Sequence, residues 1–462
     1  MPLVLGVDSS TQSTKVELRD ADSGALEGEA RAPHPPTTPP RSEQDPHAWW
    51  DAFERARAQL PAADAIAVAG QQHGLVVLDA RGAVVRPAKL WNDGESAPDA
   101  QWLRGKLTDA EWARACGSVP VAAFTITKLS WLHRSEPESW ARLARVCLPH
   151  DWLTAQLTGD LTTDRGDASG TGYFSAATGE YRFDLLEIVE AGADWPERVP
   201  RVLGPAEPAG RTGGAIVAAG TGDNMAAALG LGLRPGDVAI SLGTSGTVFA
   251  VSETPTFDAT GAVAGFADAT GRFLPLVCTL NATKVTEAIA RLLGADLAQL
   301  DALALAAPPG AAGVTLVPYF DGERTPNRPG ATGTIAGLRS DVTREQLARA
   351  AVEGVVCGLL DGLDALVEAG VAVGNRIALV GGGARSAAYR QVLADLGGRP
   401  VDVFDETEHV ARGACVQAAA VLHGRAPDEI AAAWAAPAAR TVEPRPGVDR
   451  DEIRSRYHLA AQ

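Results

Sequence analysis

Two distant stretches of this chain repeat one local design, and that repetition constrains the fold more than any other feature. Near the start, Leu3-Val4-Leu5-Gly6-Val7 reads as a buried strand, Asp8-Ser9-Ser10-Thr11-Gln12-Ser13 as a polar turn, and Thr14-Lys15-Val16-Glu17-Leu18 as an alternating return strand. In the middle, Val238-Ala239-Ile240-Ser241-Leu242 runs into the tight turn Gly243-Thr244-Ser245-Gly246 and comes back as Thr247-Val248-Phe249-Ala250-Val251. Such an echo implies two halves of related architecture. Each turn offers backbone N–H groups and hydroxyls to an anion, so each half presents one phosphate-facing turn.

A chain of 462 residues is too long for one core, and strand patterns alternating with helical ones in a 46% apolar sequence predict an α/β protein of two domains. The formal net charge of -16 excludes attraction to nucleic acid or to an acidic membrane surface, so a polyphosphate must be held by local donors or a metal ion. Five cysteines (Cys116, Cys147, Cys278, Cys357, Cys415) are scattered with no Cys-x-x-Cys pair, which argues against a disulfide framework or a thiolate metal site. The start carries no charged segment ahead of an apolar run and no stretch is long and apolar enough to span a bilayer, so a cytoplasmic location is expected.

Candidate chemistry lies at strand ends. Asp223, behind Gly220-Thr221-Gly222 and ahead of the helical Asn224-Met225-Ala226-Ala227-Ala228-Leu229, is either a helix N-cap or a carboxylate that meets a ligand. Asp8 closes a buried strand without an obvious basic neighbour, which suits Mg²⁺ bound directly or through water, or else a turn-capping role. Gly70-Gln71-Gln72-His73-Gly74 sets polar groups between glycines at a strand end, and Trp91-Asn92-Asp93 joins an aromatic plane to hydrogen-bonding groups in a way that suits a sugar. Both also have plain readings, a satisfied histidine and a core tryptophan before a turn. Residues 98–165 read as helical scaffold, and 319–326 as a charged, exposed loop. Ile377-Ala378-Leu379-Val380 followed by Gly381-Gly382-Gly383-Ala384-Arg385-Ser386 and a helix from Ala387 to Leu396 forms a nucleotide-sized crevice, or only a sharp turn.

In this order, Asp8-Ser-Ser-Thr-Gln-Ser-Thr-Lys15, Gly222-Asp-Asn224, Gly243-Thr-Ser-Gly246 and Gly381-Gly-Gly-Ala-Arg-Ser386 resemble the motifs of the FGGY family of carbohydrate kinases, over nearly the whole length from Leu3 to about Gly424. The resemblance implies a two-domain actin-like ATPase (ribonuclease H-like) α/β fold with a cleft between the domains. It divides them as residues 1–235, binding sugar, and 236–462, binding nucleotide. It implies Asp223 as catalytic base, with Gln72, His73, Asn92 and Asn224 on the sugar. Thr11, Gln12, Ser13, Gly243, Thr244 and Ser245 would lie on the phosphates of ATP, Gly382, Gly383 and Ser386 on the adenosine, and Asp8 on Mg²⁺ through water. Gln44-Asp-Pro46, Gly70-Gln-Gln-His-Gly74, Leu90-Trp-Asn-Asp93 and Gly322-Glu-Arg-Thr-Pro326 are similar to the ketopentose branch of the family, which implies phosphorylation of D-xylulose to D-xylulose 5-phosphate. Gln72 and Glu95 depart from the usual pattern, which leaves open ribulose, glycerol or another polyol as substrate. An actin-like or chaperone-like ATPase would share the phosphate turns but gives no account of the Gln71 to Gly74 and Trp91 to Asp93 segments. A homodimer is the family expectation.

Overall fold

The opening pattern folds as a hairpin in which β1 (Leu3–Ser9) and β2 (Ser13–Asp20) pair antiparallel, Asp8 opposite Lys15. The computed structural model describes residues 1–404, 408–435 and 438–462. It divides into a first unit of Met1–Leu233, Glu253–Leu274 and Glu408–Ala435, and a second of Arg234–Ser252, Pro275–Thr407 and Ala436–Gln462.

In the first unit the sheet adds β3 (Leu26–Pro33), β4 (Ala65–Gly70), β5 (Pro208–Thr212) and β6 (Ala215–Ala218), in the order β5-β6-β4-β1-β2-β3. β4 runs parallel to both neighbours, β1 and β6. Strands of that kind are covered on both faces, which is why its six residues are uniformly apolar and all buried. Helix Pro46–Arg57, capped by Asp45 with proline in its first turn, packs Trp49 and Phe53 into this core. Helix His409–His423 lies so close to β1 that a Cβ on Gly6 would stand 2.1 Å from the Ala411 carbonyl oxygen.

The second unit repeats the plan. β7 (Val238–Leu242) pairs antiparallel with β8 (Gly246–Ala250) and parallel with β10 (Ile377–Val380), as β1 does with β2 and β4. With β9 (Phe273–Thr279), β11 (Val401–Val403) and β12 (Arg440–Val442) the order is β9-β8-β7-β10-β11-β12. The sequence echo is therefore an echo of topology.

Two expectations are corrected. Within 98–165 the helices are interrupted by the strand Arg145–Cys147, which pairs with Val76–Leu78 and is too short for a period to reveal. The loop at 319–326 is not exposed throughout: Glu323 is buried and accepts hydrogen bonds from Leu280 N at 2.6 Å, Asn281 Nδ2 at 2.9 Å and Arg324 N at 2.8 Å. Burial of this carboxylate is compensated by three donors, which ties the loop to the end of β9. Among the described residues, no helix is long and apolar enough to cross a membrane.

Candidate active site

Strand register alone brings the main candidates of the first unit together. Ala69 near the end of β4 faces Asp8 on one side and Thr221 on the other, and Gly70 faces Gly222. One residue past Gly222 the chain turns into helix Asp223–Leu231, and just past Gly70 it turns into Gln71-Gln72-His73. Three strand ends thus deliver Asp8, the Gln71–His73 segment and Asp223 to one edge of the sheet.

Gly222 is the helix N-cap and Asp223 the first helical residue, so the capping alternative for Asp223 does not hold. The half-buried carboxylate is held through one oxygen. Its Oδ1 accepts from Asn224 N and from Asn224 Nδ2, both at 2.8 Å, and among the described residues no donor reaches Oδ2. Burial pushes its pKa up to about 7, with the nearby Asp8 and Asp167 carboxylates adding to the effect. Burial among like charges disfavours the anion relative to an ordinary, exposed aspartate. A base must be ionised to accept a proton, so kcat/KM is expected to rise with pH and level off above about pH 7, where an exposed aspartate would level off near its reference value of about 3.9. A pH–rate profile flat from about pH 5 upward would contradict this assignment.

Gln72 is linked to this carboxylate through Asn224, and His73 follows it on the same loop. Gln72 is buried, its Oε1 accepts from Asn224 Nδ2 at 2.8 Å, and its Nε2 has no partner among the described residues. His73 has a left-handed backbone with φ of 66°. Its Nδ1 lies 2.8 Å from the Gly170 carbonyl oxygen, and since a carbonyl only accepts, Nδ1 carries the proton. The ring packs against Phe124 and Phe266, at centroid distances of 5.1 and 5.5 Å. The Asn92 side-chain oxygen is buried and unpartnered among the described residues. Unpaired buried amide groups of this kind suit a ligand that brings hydroxyls.

The first polar turn presents less than its composition suggests. Thr11 Oγ1 accepts from Trp91 Nε1 at 2.9 Å and lies 3.2 Å from Gln71 Oε1, so its hydroxyl joins two candidate sugar segments. Ser13 is buried with Oγ accepting from Arg31 Nε at 3.0 Å, and Gln12 alone of the three is exposed. Asp93 is likewise structural, accepting from Ser42 N at 2.9 Å, Glu95 N at 3.0 Å and Lys89 Nζ at 3.1 Å. Glu95 stands 2.6 Å from the same fully buried ammonium. Glu43, Asp93 and Glu95 converge as a metal site would, but the Lys89 ammonium already supplies the positive charge.

A buried cluster that no sequence pattern reveals stands behind the Asp223 loop. His150 Nδ1 lies 2.8 Å from Asp167 Oδ2, and Nε2 lies 3.2 Å from Asp151 and 3.8 Å from Asp164. Burial alone would lower the imidazole pKa, but the Asp151, Asp167 and Asp164 carboxylates outweigh it and raise it to about 9. Asp164 accepts from Gly166 N and Asp167 N and, at 2.7 Å, from Thr221 Oγ1, which ties the cluster to the strand leading into Asp223. These residues are spread over 18 positions with no fixed interval, and only the fold assembles them.

In the second unit the two glycine-containing turns meet on one residue. A Cβ on Gly381 would lie 2.8 Å from the Leu242 carbonyl oxygen, and one on Gly383 would lie 2.5 Å from the Leu242 side chain. Leu242 is the last residue of β7, directly before Gly243, so the absence of side chains at 381 and 383 lets the two turns close up. Gly381 also needs its φ of 85°. Gly243 N donates to Ser245 O at 3.0 Å, and Thr283 N donates to Gly243 O at 3.0 Å. Thr244 is exposed and Gly382 has open space around it. Ser386 caps helix Ala387–Gly397 by accepting from Tyr389 N at 3.0 Å and donates to Asp301, so its hydroxyl is already engaged.

Asp8 has the surroundings of a cation ligand. Its Oδ1 is buried and has no partner among the described residues, and burial raises its pKa to about 7 while Lys15 opposes the shift. An unpaired buried carboxylate is what a divalent cation, or its coordinated water, would neutralise, so the residue fits.

Comparison with known proteins places these features in a wider set. The model of the N-terminal domain of the FGGY family of carbohydrate kinases matches residues 3–230, and that of the C-terminal domain residues 238–422. The chain is 48% identical over 465 residues to the xylulose kinase of Streptomyces coelicolor, covering 98% of this chain and 94% of that protein. It is 35% identical to the xylulose kinase of Haemophilus influenzae over 90% of each chain. Among solved structures, that of xylulose kinase from Bifidobacterium adolescentis superposes with a TM-score of 0.89 at 43% identity, covering 100% of this chain and 99% of that one.

Proposed function

The chain belongs to the FGGY family of carbohydrate kinases, and from that membership we propose that it transfers the terminal phosphoryl group of ATP to D-xylulose, giving D-xylulose 5-phosphate and ADP. The observation that carries the chemistry is the Asp223 carboxylate, held through Oδ1 at a helix N-terminus and open at Oδ2. The choice of sugar is supported by the near full-length similarity to proteins named xylulose kinase.

Phosphoryl transfer needs the acceptor hydroxyl placed in line with the terminal phosphorus, donors for the phosphoryl oxygens, and a group to take the hydroxyl proton. Asp223 Oδ2 accepts the hydrogen bond from the sugar's terminal hydroxyl. As the oxygen–phosphorus bond forms and ADP departs, that proton passes to the carboxylate. A carboxylate whose pKa is raised to about 7 is a better proton acceptor than an ordinary one and is still ionised in good part at neutral pH. Gln72 Nε2, Asn92 Oδ1, His73 and Asn224 hold the remaining hydroxyls, in the first unit. In the second unit, Gly243, Thr244 and Ser245 face the phosphates of ATP, and Gly382, Gly383 and Ser386 face the adenosine, for which Ser386 must share the hydroxyl it now gives to Asp301. In the first polar turn, Gln12 and the backbone of Thr11 and Ser13 serve the phosphates. Asp8 would hold Mg²⁺, directly or through water, and the cation would neutralise charge on the phosphate oxygens.

ADP release measured with D-xylulose, D-ribulose, glycerol and no sugar tests this reading. The highest kcat/KM is expected with D-xylulose, with ADP release at least about tenfold slower without sugar. Preference for another polyol would overturn the substrate, and sugar-independent turnover would overturn the kinase reading.

A further inference from the structure

Gln44 is buried, and its side-chain amide ties the core to the first polar turn. Its Oε1 accepts from Trp49 Nε1 at 2.8 Å, and its Nε2 donates to the Thr11 carbonyl at 2.9 Å and to the Pro35 carbonyl at 2.7 Å. An indole nitrogen only donates and a carbonyl only accepts, so the amide has a single orientation. The Thr11–Gln12 peptide is trans, which sets its N–H opposite its C=O. With the Thr11 carbonyl drawn toward Gln44, the Gln12 N–H points the other way, and no described group accepts from it. The next carbonyl, that of Gln12, is drawn in as well and accepts from His34 N at 2.8 Å. The His34 ring also stands near the Thr11 carbonyl, so Gln44 does not act alone.

We propose that Gln44 is a positioning residue for ATP: by holding the Thr11 carbonyl inward, it keeps the Gln12 N–H turned outward for a phosphate oxygen. The inference rests on the reading that the first polar turn serves the phosphates. Successive N–H groups of a turn bind an anion only while the carbonyls between them face away. A flipped Thr11–Gln12 peptide would present a carbonyl oxygen to a polyanion, replacing attraction by repulsion. That rotation takes place about bonds beyond the Thr11 Cα, so the Thr11 hydroxyl keeps its contacts with Trp91 and Gln71. The effect therefore belongs to ATP and not to the sugar segments.

The test is the KM for ATP and for D-xylulose in Gln44→Met, Gln44→Asn and Trp49→Phe beside the unaltered protein, with thermal melting to show that each is folded. Methionine keeps the length of residue 44 and removes both donors. Asparagine, an amide one methylene too short to bridge Trp49 and Thr11, keeps the test decisive if the methionine variant does not fold. Trp49→Phe is the control, since it loosens the same core and removes the donor to Gln44 Oε1 but leaves the Gln44 Nε2 donors in place. Both Gln44 variants are expected to raise the KM for ATP by about 5- to 30-fold, as for the loss of one hydrogen bond to a charged oxygen, with less than about a threefold change for D-xylulose. Trp49→Phe should melt at a lower temperature with its KM for ATP within about threefold of the unaltered value. An unchanged KM for ATP in a folded Gln44 variant, or an equal rise in Trp49→Phe, would overturn the proposal. Gln12→Pro, which deletes the N–H itself, separates the two ways of failing. An unchanged KM for ATP there would overturn the placement of the turn on the phosphates, whereas a raised one beside unaffected Gln44 variants would overturn only the role of Gln44.

Discussion

Asp223→Asn is expected to phosphorylate D-xylulose at least about a thousandfold more slowly than the unaltered protein and yet to unfold at a higher temperature near neutral pH. The rate loss follows from removing the only proton acceptor on the proposed hydroxyl; positioned bases contribute about 10²–10⁴-fold. The stability gain follows from linkage. The folded-state pKa is raised from 3.8 to about 7, mainly by burial, so between those values the folded protein binds more protons than the unfolded chain. Stability from this residue is therefore lost as pH rises from about 4 to about 7, and the deficit is complete above that range. Asparagine keeps the acceptor oxygen for Asn224 and never ionises, which removes the deficit. With allowance for solvent reaching the half-buried side chain, the gain is of the order of 1–3 kcal/mol near pH 8 and vanishes near pH 4. Thermal melting at the two pH values checks the sign, and an inactive variant with no pH-dependent gain would contradict the environment described for this carboxylate.

The second large effect concerns the helix that carries Asp223. Its Ala226 carbonyl oxygen would lie 1.9 Å from a Cβ on Gly413, and a Cβ on Gly230 would lie 2.0 Å from the His409 carbonyl oxygen. Helices Asp223–Leu231 and His409–His423 therefore meet backbone to backbone, which only glycine permits at these points. Gly413→Val is expected to destabilise the first unit by roughly 3 kcal/mol or more, since the obstruction is main chain and cannot step aside. Because Asp223 opens the displaced helix, kcat should fall further than the loss of folded protein accounts for. Gly330→Val is the control: its ideal Cβ meets nothing within 4 Å, and its stability should change by less than about 0.5 kcal/mol. Equal effects of the two substitutions would show that the helix crossing does not position the base.

The parts of this molecule that the sequence announces are those with local periodicity. Both hairpins could be read because buried strands and Gly/Ser/Thr turns have distinct compositions, and their equivalence survives as matching strand pairings around β1 and β7. The glycines of the Gly381 turn could be read for the same reason, though not that Leu242 is what they make room for. What escaped the sequence is what depends on register and burial. Nothing local says that Asp8, Ala69 and Thr221 lie abreast, that the Thr11 and Ser13 hydroxyls are engaged by Trp91, Gln71 and Arg31, or that Glu323 is buried. The His150 cluster is the clearest case. A histidine followed by aspartates is a common surface composition, and only the fold gathers it into a buried His–Asp cluster behind the base. The raised pKa of Asp223 belongs to the same class, because a residue type carries no record of the solvent it loses.

The central claim is geometric, and a crystal structure of the protein with D-xylulose bound measures it directly. The account predicts the sugar's terminal hydroxyl at about 2.6–3.2 Å from Asp223 Oδ2, with Oδ1 still on Asn224 and the neighbouring hydroxyls on Gln72, His73 and Asn92. A sugar bound away from this strand edge, or one whose terminal hydroxyl faces a different acceptor while Asp223 is turned into the protein, would contradict it.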